Sequence, residues 1–209
     1  MFYLVKSPFL LRKFYPGCTW DIKTIEKIIY LTFDDGPSPG VTPFVLDQLK
    51  QYDALATFFC IGKNVKNHFD LYQRMIAEGH KPGNHTYQHL NGWKVKDKDY
   101  ITDISQAAEV IDSDLFRPPY GRITKFQLKV LRESSLNLKP VMWSVLSGDF
   151  DEKLSAEHCY LNVVNHVKPG SIVVFHDSLK AFGKLREVLP KILAYYNGRG
   201  YQFKKLTIP

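Results

Sequence analysis

From about Ile28 onward, short apolar runs alternate with segments in which apolar residues recur every three or four positions. Ile28-Ile29-Tyr30-Leu31-Thr32-Phe33 is apolar and β-branched enough for a buried strand, and Asp34-Asp35-Gly36-Pro37 stops it in a turn. Thr42-Pro43 then reads as an N-cap with proline at the first helical position, followed by the apolar face of Phe44, Val45, Leu46 and Leu49. The same reading predicts strands over 54–61, 140–146, 171–175 and 202–206, and a short strand ending at Gly83-Asn84-His85. Helices are predicted over 69–78, 100–111, 125–134, 156–167 and 185–196. Residues 116–121 can form only a brief extended piece, because Pro118-Pro119 removes two backbone donors.

Repeated strand–helix units imply a parallel sheet with right-handed crossovers. The fold class is α/β, and 209 residues are too few for eight full units, so we expect a distorted, incomplete (β/α) barrel of about seven parallel strands. Residues 28–209 form one domain, with residues 1–27 as an N-terminal segment packed on it.

Composition narrows the picture. An apolar fraction of 44% and an aromatic fraction of 14% suit a globular chain with a sizeable core. No apolar run approaches the roughly 20 residues that span a bilayer. The first 17 residues contain no signal-peptide pattern, so the expected location is cytoplasmic or membrane-peripheral. Residues 9–14 read as a short amphipathic turn packed on the domain in preference to a membrane contact. Cys18, Cys60 and Cys159 leave at least one thiol unpaired in a monomer, the expected state, which favours a reducing compartment. The net charge of +7 is spread along the chain without a nucleic-acid-binding signature, so we expect a basic solvated surface or attraction to an anionic polymer, and no nucleic-acid partner.

The polar residues that look hardest to accommodate all follow predicted strands, and a parallel barrel gathers such positions on one face. Asp34 and Asp35 point to opposite sides of their strand, so one can hold a metal while the other handles a proton; Asp-Asp-Gly-Pro is also good turn chemistry. His85 and His89, four apart on one side of a helical turn, are either two unrelated histidines or, with one carboxylate, a facial metal set. Zinc and similar divalent metals suit that set, and iron has the same ligand preferences. His176 is either a neutral core histidine or a proton donor oriented by Asp149, and Arg117 is either structural or the partner of the free carboxylate. Trp93, beyond His89, is either an indole exposed on the rim of that face or one packed under a loop, whereas Trp143, within a strand, is placed in the core.

Thr32-Phe33-Asp34-Asp35-Gly36, His85-Thr86-Tyr87-Gln88-His89, Arg117-Pro118-Pro119-Tyr120-Gly121, residues 143–150 and Val174-Phe175-His176 resemble, in order, the five motifs of the polysaccharide deacetylases, also called carbohydrate esterase family 4 or the NodB-homology group. The resemblance covers about residues 28–206. It implies hydrolytic, metal-dependent removal of acetyl groups from N-acetylated sugars, such as the N-acetylglucosamine units of a chitin-like or peptidoglycan-like glycan. It further implies that Asp35, His85 and His89 bind a divalent metal, Zn2+ first with Co2+, Ni2+ or Mn2+ as alternatives. Asp34 would be the base for the attacking water, Arg117 would hold Asp34, the Tyr120 backbone N–H would face the oxyanion, and His176 tuned by Asp149 would be the acid. Pro119, Tyr120, Trp93 and Val174 would contact substrate. The chain departs from the family pattern at Leu146, where an Asp is usual, at Phe150 in place of Trp and at Val174 in place of Leu. Leu146 keeps open an amidase acting on a small non-sugar amide, and a non-catalytic glycan-binding homologue is the third alternative.

Overall fold

A computed structural model describes residues 4–208. Its strands are β1 (Ile28–Asp34), β2 (Thr57–Cys60), β3 (Lys81–Asn84), β4 (Leu115–Phe116), β5 (Lys139–Pro140), β6 (Val145–Leu146), β7 (Ile172–His176) and β8 (Gln202–Phe203). The helices are α1 (Phe9–Phe14), α2 (Thr42–Lys50), α3 (Gly62–Asn67), α4 (Phe69–Ala77), α5 (Asp97–Ala108), α6 (Lys125–Glu133), α7 (Ala156–Val164) and α8 (Leu179–Asn197). Seven strands lie side by side in the order β5-β4-β3-β2-β1-β7-β6, all parallel, and β8 pairs with the start of β1. This is the incomplete (β/α) barrel expected from the alternation of runs.

Alternation along β1 divides the molecule into its layers. Ile29, Leu31 and Phe33 point outward into the main core beneath the helices, where Phe33 stacks on Phe58 at 5.1 Å and lies 6.1 Å from Phe175. Tyr30 packs into a smaller inner core with Phe59, Val141 and Ile172, and Thr32 and Asp34 on the same side meet Arg117. Because β1 is central and Asp34 is in register with His176 on β7, one carboxylate and one imidazole end at the same height.

The barrel is open between β5 and β6, and the N-terminal segment crosses that opening. Lys6 bridges to Val145, Thr19 to Val141 and Asp21 to Ser171. Ser7 adds hydrogen bonds to the carbonyls of Ser144 and Trp143.

Several elements differ from expectation. The predicted strand over 140–146 is broken, because the Val141 and Met142 carbonyls accept from the buried Arg117 guanidinium and Met142 N–H donates to Thr19. Thr42 does not cap α2; its hydroxyl donates to Asp177, and Val41 holds the cap position. His85 to His89 form no helical turn but a loop, with Thr86 and His89 at φ 63 and 60. Helix α3 was not predicted, and α8 begins six residues before the predicted start at 185 and runs through Pro190. All three cysteines are buried and free. Among the described residues no helix is long and apolar enough to cross a membrane.

Candidate active site

The ends of β1, β3, β4 and β7 and the loop after β6 converge on one face. Asp35, immediately after β1, reaches His89 Nε2 at 3.1 Å and His85 Nε2 at 3.7 Å. One ligand atom from each of these three residues lies within 4.8 Å of the others. Asp35 Oδ1 is buried with no aligned hydrogen-bond donor, although His89 stands close. A buried, unsatisfied carboxylate oxygen facing two imidazoles is expensive as it stands and is what a cation would complete.

His85 Nδ1 donates to the Arg117 carbonyl at 2.7 Å, which leaves Nε2 free as an electron-pair donor toward Asp35. Burial pushes the His85 imidazolium down to about 4, so this ring is neutral near pH 7. The donor set therefore fits a borderline divalent metal.

The loop carrying the histidines is built by residues the sequence reading did not single out. Asp103 of α5 accepts from Tyr87 and Gln88 N–H at 2.9 and 3.0 Å, and Asn84 Oδ1 accepts from Thr86 N–H at 2.9 Å. A carboxylate between Tyr100 and Ile104 on the buried face of an amphipathic helix was the available signal. Asp177 does the same for the β1–α2 turn: it accepts from Gly36 N–H at 3.0 Å and from the Thr42 hydroxyl at 2.6 Å. Burial raises its carboxyl to about 7, while the Thr42 bond pulls the other way. A Cβ on Gly36 would sit 2.0 Å from Asp177, so the turn needs glycine there.

Asp34 stands on the other side of the strand end. Arg117, wholly buried, donates to Asp34 Oδ1 and to Thr32 Oγ1 at 2.7 Å each, and to the carbonyls of Met142 and Val141 at 3.0 and 3.3 Å. Its guanidinium also lies 4.0 Å above the Phe59 ring. Such a charge is tolerable in the interior only when paired and fully hydrogen-bonded, and here it is.

His176 is gripped by Asp149 from two directions: Oδ1 meets Nδ1 at 2.8 Å and Oδ2 accepts the His176 backbone N–H at 2.7 Å. Burial alone would lower the imidazolium's pKa, but Asp149 and the carboxylates of Asp35 and Asp34 raise it to about 10. Phe150 packs edge-on against the ring at 5.1 Å. With Nδ1 committed, Nε2 is the nitrogen free to serve a ligand.

Tyr120, at φ 60, is half exposed and packs edge-on against His89 at 4.7 Å. It lines an open groove together with Trp93, Trp143, Leu146, Met142 and Leu11. Trp93 is 53% exposed, its ring under Arg122 and its Nε1 bonded to the Ile123 carbonyl, so it belongs to the rim. Trp143, expected in the core, is a wall of this groove and a cover for Arg117. Pro119 and Val174 are buried, Val174 at 1% exposure and in register with Leu146 on the neighbouring strand, and neither lines the groove.

Residues 21–138 match the family described as Polysaccharide deacetylase. A peptidoglycan-N-acetylglucosamine deacetylase of Bacillus cereus is 38% identical over 191 residues, covering 88% of this chain and 89% of that protein. A chitooligosaccharide deacetylase of Azorhizobium caulinodans is 36% identical over 159 residues, covering 73% of this chain and 74% of that one. The crystal structure of a peptidoglycan N-acetylglucosamine deacetylase matches with a TM-score of 0.86 and 33% identity, covering 96% of this chain and 95% of the other. The chain belongs to the polysaccharide deacetylase family.

Proposed function

We propose that this protein is an N-deacetylase that hydrolyses the acetamide of N-acetylglucosamine units in a glycan, with Zn2+ held by Asp35, His85 and His89. The observation that carries this reading is the unsatisfied Asp35 carboxylate facing two imidazoles, with a proton acceptor on one side and a proton donor on the other. The bound cation supplies Lewis acidity, making a water more acidic and the amide carbonyl more electrophilic.

Asp34 accepts the proton of the attacking water. Arg117 fixes its orientation through Oδ1, and the Thr32 hydroxyl bonded to the same guanidinium keeps that nitrogen in place. The Tyr120 backbone N–H donates to the developing oxyanion, a role supported by the left-handed backbone of Tyr120 and the packing of its ring against His89. His176 delivers its Nε2 proton to the departing nitrogen, which an amide requires because an unprotonated amine anion is a poor leaving group. A pKa near 10 keeps that proton available at neutral pH and makes the donor a weak one until the nitrogen becomes basic.

The open groove, with half-exposed Trp93 and Tyr120, favours a chain of sugars over a small amide, which a closed pocket would suit better. Leu146, where a charge is usual, makes the wall beside Trp143 apolar and shifts substrate fit without touching a proton-handling group.

The test is acetate release by zinc-loaded protein from chitooligosaccharides and peptidoglycan-derived glycans. Asp34→Asn should lower turnover by roughly 10²–10⁴ while zinc content stays the same. Absence of acetate release across N- and O-acetylated glycans, with the metal confirmed in place, would overturn the reading.

A further inference from the structure

Helix α1 has no buried residue: Phe9 and Leu10 are 68% exposed, Phe14 61% and Leu11 40%. Arg12 turns inward, to Asp21 at 2.5 Å, which leaves Leu10 and Phe14 on the opposite, outward side. The helix is not a loose end. On one side of it the Val5 carbonyl accepts from Leu146 and Ser7 is bonded to Ser144 and Trp143; on the other, Thr19 exchanges hydrogen bonds with Pro140 and Met142. Three large apolar side chains, Phe9, Leu10 and Phe14, are thus held out into solvent by a strap fastened at both ends. A patch of this kind on an otherwise well-packed domain marks a surface that meets something.

Its rim is cationic. Lys13, Lys125, Lys129 and Arg132 line one shallow depression with Phe14, with Lys125 Nζ 5.6 Å from the Phe14 ring and Lys13 Nζ 4.9 Å from the Phe9 ring. The nearby carboxylates are engaged, Asp21 with Arg12 and Glu133 with Lys129 at 3.9 Å. A second copy of the chain is a poor occupant, because a two-fold interface sets the same patch against itself and would bring this basic rim onto its own image. An anionic, apolar-cored surface complements both features.

We propose that α1 and its basic rim form a peripheral membrane-binding surface, with Phe9, Leu10 and Phe14 entering the headgroup–acyl boundary and Lys13, Lys125 and Arg132 pairing with anionic lipid headgroups. Leu11, on the flank of the same helix, lines the groove beside Tyr120, so a bilayer engaged by α1 lies next to the candidate active site. The inference goes beyond the deacetylase reading, and its test needs no turnover.

Co-sedimentation of the full chain should show binding to vesicles of phosphatidylglycerol mixed with phosphatidylcholine, and about tenfold weaker binding to phosphatidylcholine alone. The variant Phe9→Ser/Leu10→Ser/Phe14→Ser should bind the anionic vesicles about a hundredfold more weakly, with an unchanged melting curve. Should that variant not fold, Phe9→Trp provides a second reading: the added fluorescence should shift to the blue, and be quenched by brominated acyl chains, when anionic vesicles are present. The proposal is overturned if the natural chain ignores anionic vesicles. It is equally overturned if the triple variant binds them as well as the natural chain, if the F9W emission does not change, or if the natural chain forms a dimer that the triple variant abolishes.

Discussion

The two halves of the candidate site are finished to different degrees. On the side proposed to handle protons, Arg117 pairs with Asp34 and His176 with Asp149 within the protein, and none of these four residues has a left-handed backbone. On the metal-ligating side, Asp35 and His89 sit at φ 81 and 60, Thr86 between the histidines at φ 63, and a buried carboxylate oxygen is left without a donor. Left-handed non-glycine residues cost on the order of 1–3 kcal/mol each and persist where surrounding structure holds them. Here Asp103, Asn84 and Asp177 do the holding. The contrast teaches that the groups proposed for proton transfer are already oriented by the fold, whereas the proposed ligand cluster is strained and leaves a buried carboxylate oxygen without a donor.

The sharpest way to break this comparison is to remove the ligand that lacks a partner. Asp35→Ala should lose the bound metal and all measurable acetate release, yet leave the urea midpoint of the metal-free protein unchanged or higher, since an unsatisfied buried group has gone. A large loss of metal-free stability would show that the cluster is complete without a cation.

Arg117→Ala should do the opposite. It strands Asp34 and two buried carbonyls, so it should destabilise the metal-free protein by about 3–5 kcal/mol in urea unfolding. Arg117→Lys should recover only part of this, because a single ammonium cannot span the acceptors that the guanidinium fork reaches.

A smaller effect is expected from Asp149→Asn. His176 must carry a proton to act as the acid, and its folded pKa is raised to about 10, so activity should decline as pH rises toward that value. Without the Asp149 charge, burial acts less opposed and the pKa falls, so the declining limb of the pH–rate profile should move to lower pH. The stability contributed by this pair is fully present below His176's ordinary value of 6.5 and is lost as pH rises through about 10. A profile that does not move would remove His176 from the acid role. Trp93→Ala, on the rim, should change least: a several-fold rise in KM for long glycans, with kcat nearly unchanged, matching about 1 kcal/mol of aromatic stacking.

How much could be read in advance follows from the range of the interactions. The β1 run, the proline-started α2 and helix α6 are local, and each lies where the sequence puts it to within a few residues. The broken strand over 140–146 could not be read, because Arg117 and Thr19, remote in sequence, compete for its backbone groups. The helical turn expected over His85 to His89 failed for the same reason: the Asp103 carboxylate, 14 to 18 residues away in sequence, takes the loop's N–H groups. Trp143 reads as core because it falls within the predicted strand, but that strand is interrupted there and Trp143 lines the groove.

Hydrophobic periodicity and the five motifs were sufficient by themselves to determine a parallel α/β half-barrel and the family, and they nominated the residues proposed for its chemistry. Those features depend on residue type and spacing along the chain. Tertiary structure alone decided that Asp34 and His176 share a register, that one Asp35 oxygen is left unsatisfied, that Asp103 and Asp177 brace the strained loops, and that α1 is held outward. Each of these depends on which distant backbone donors and acceptors find one another, and one-dimensional spacing carries no record of that.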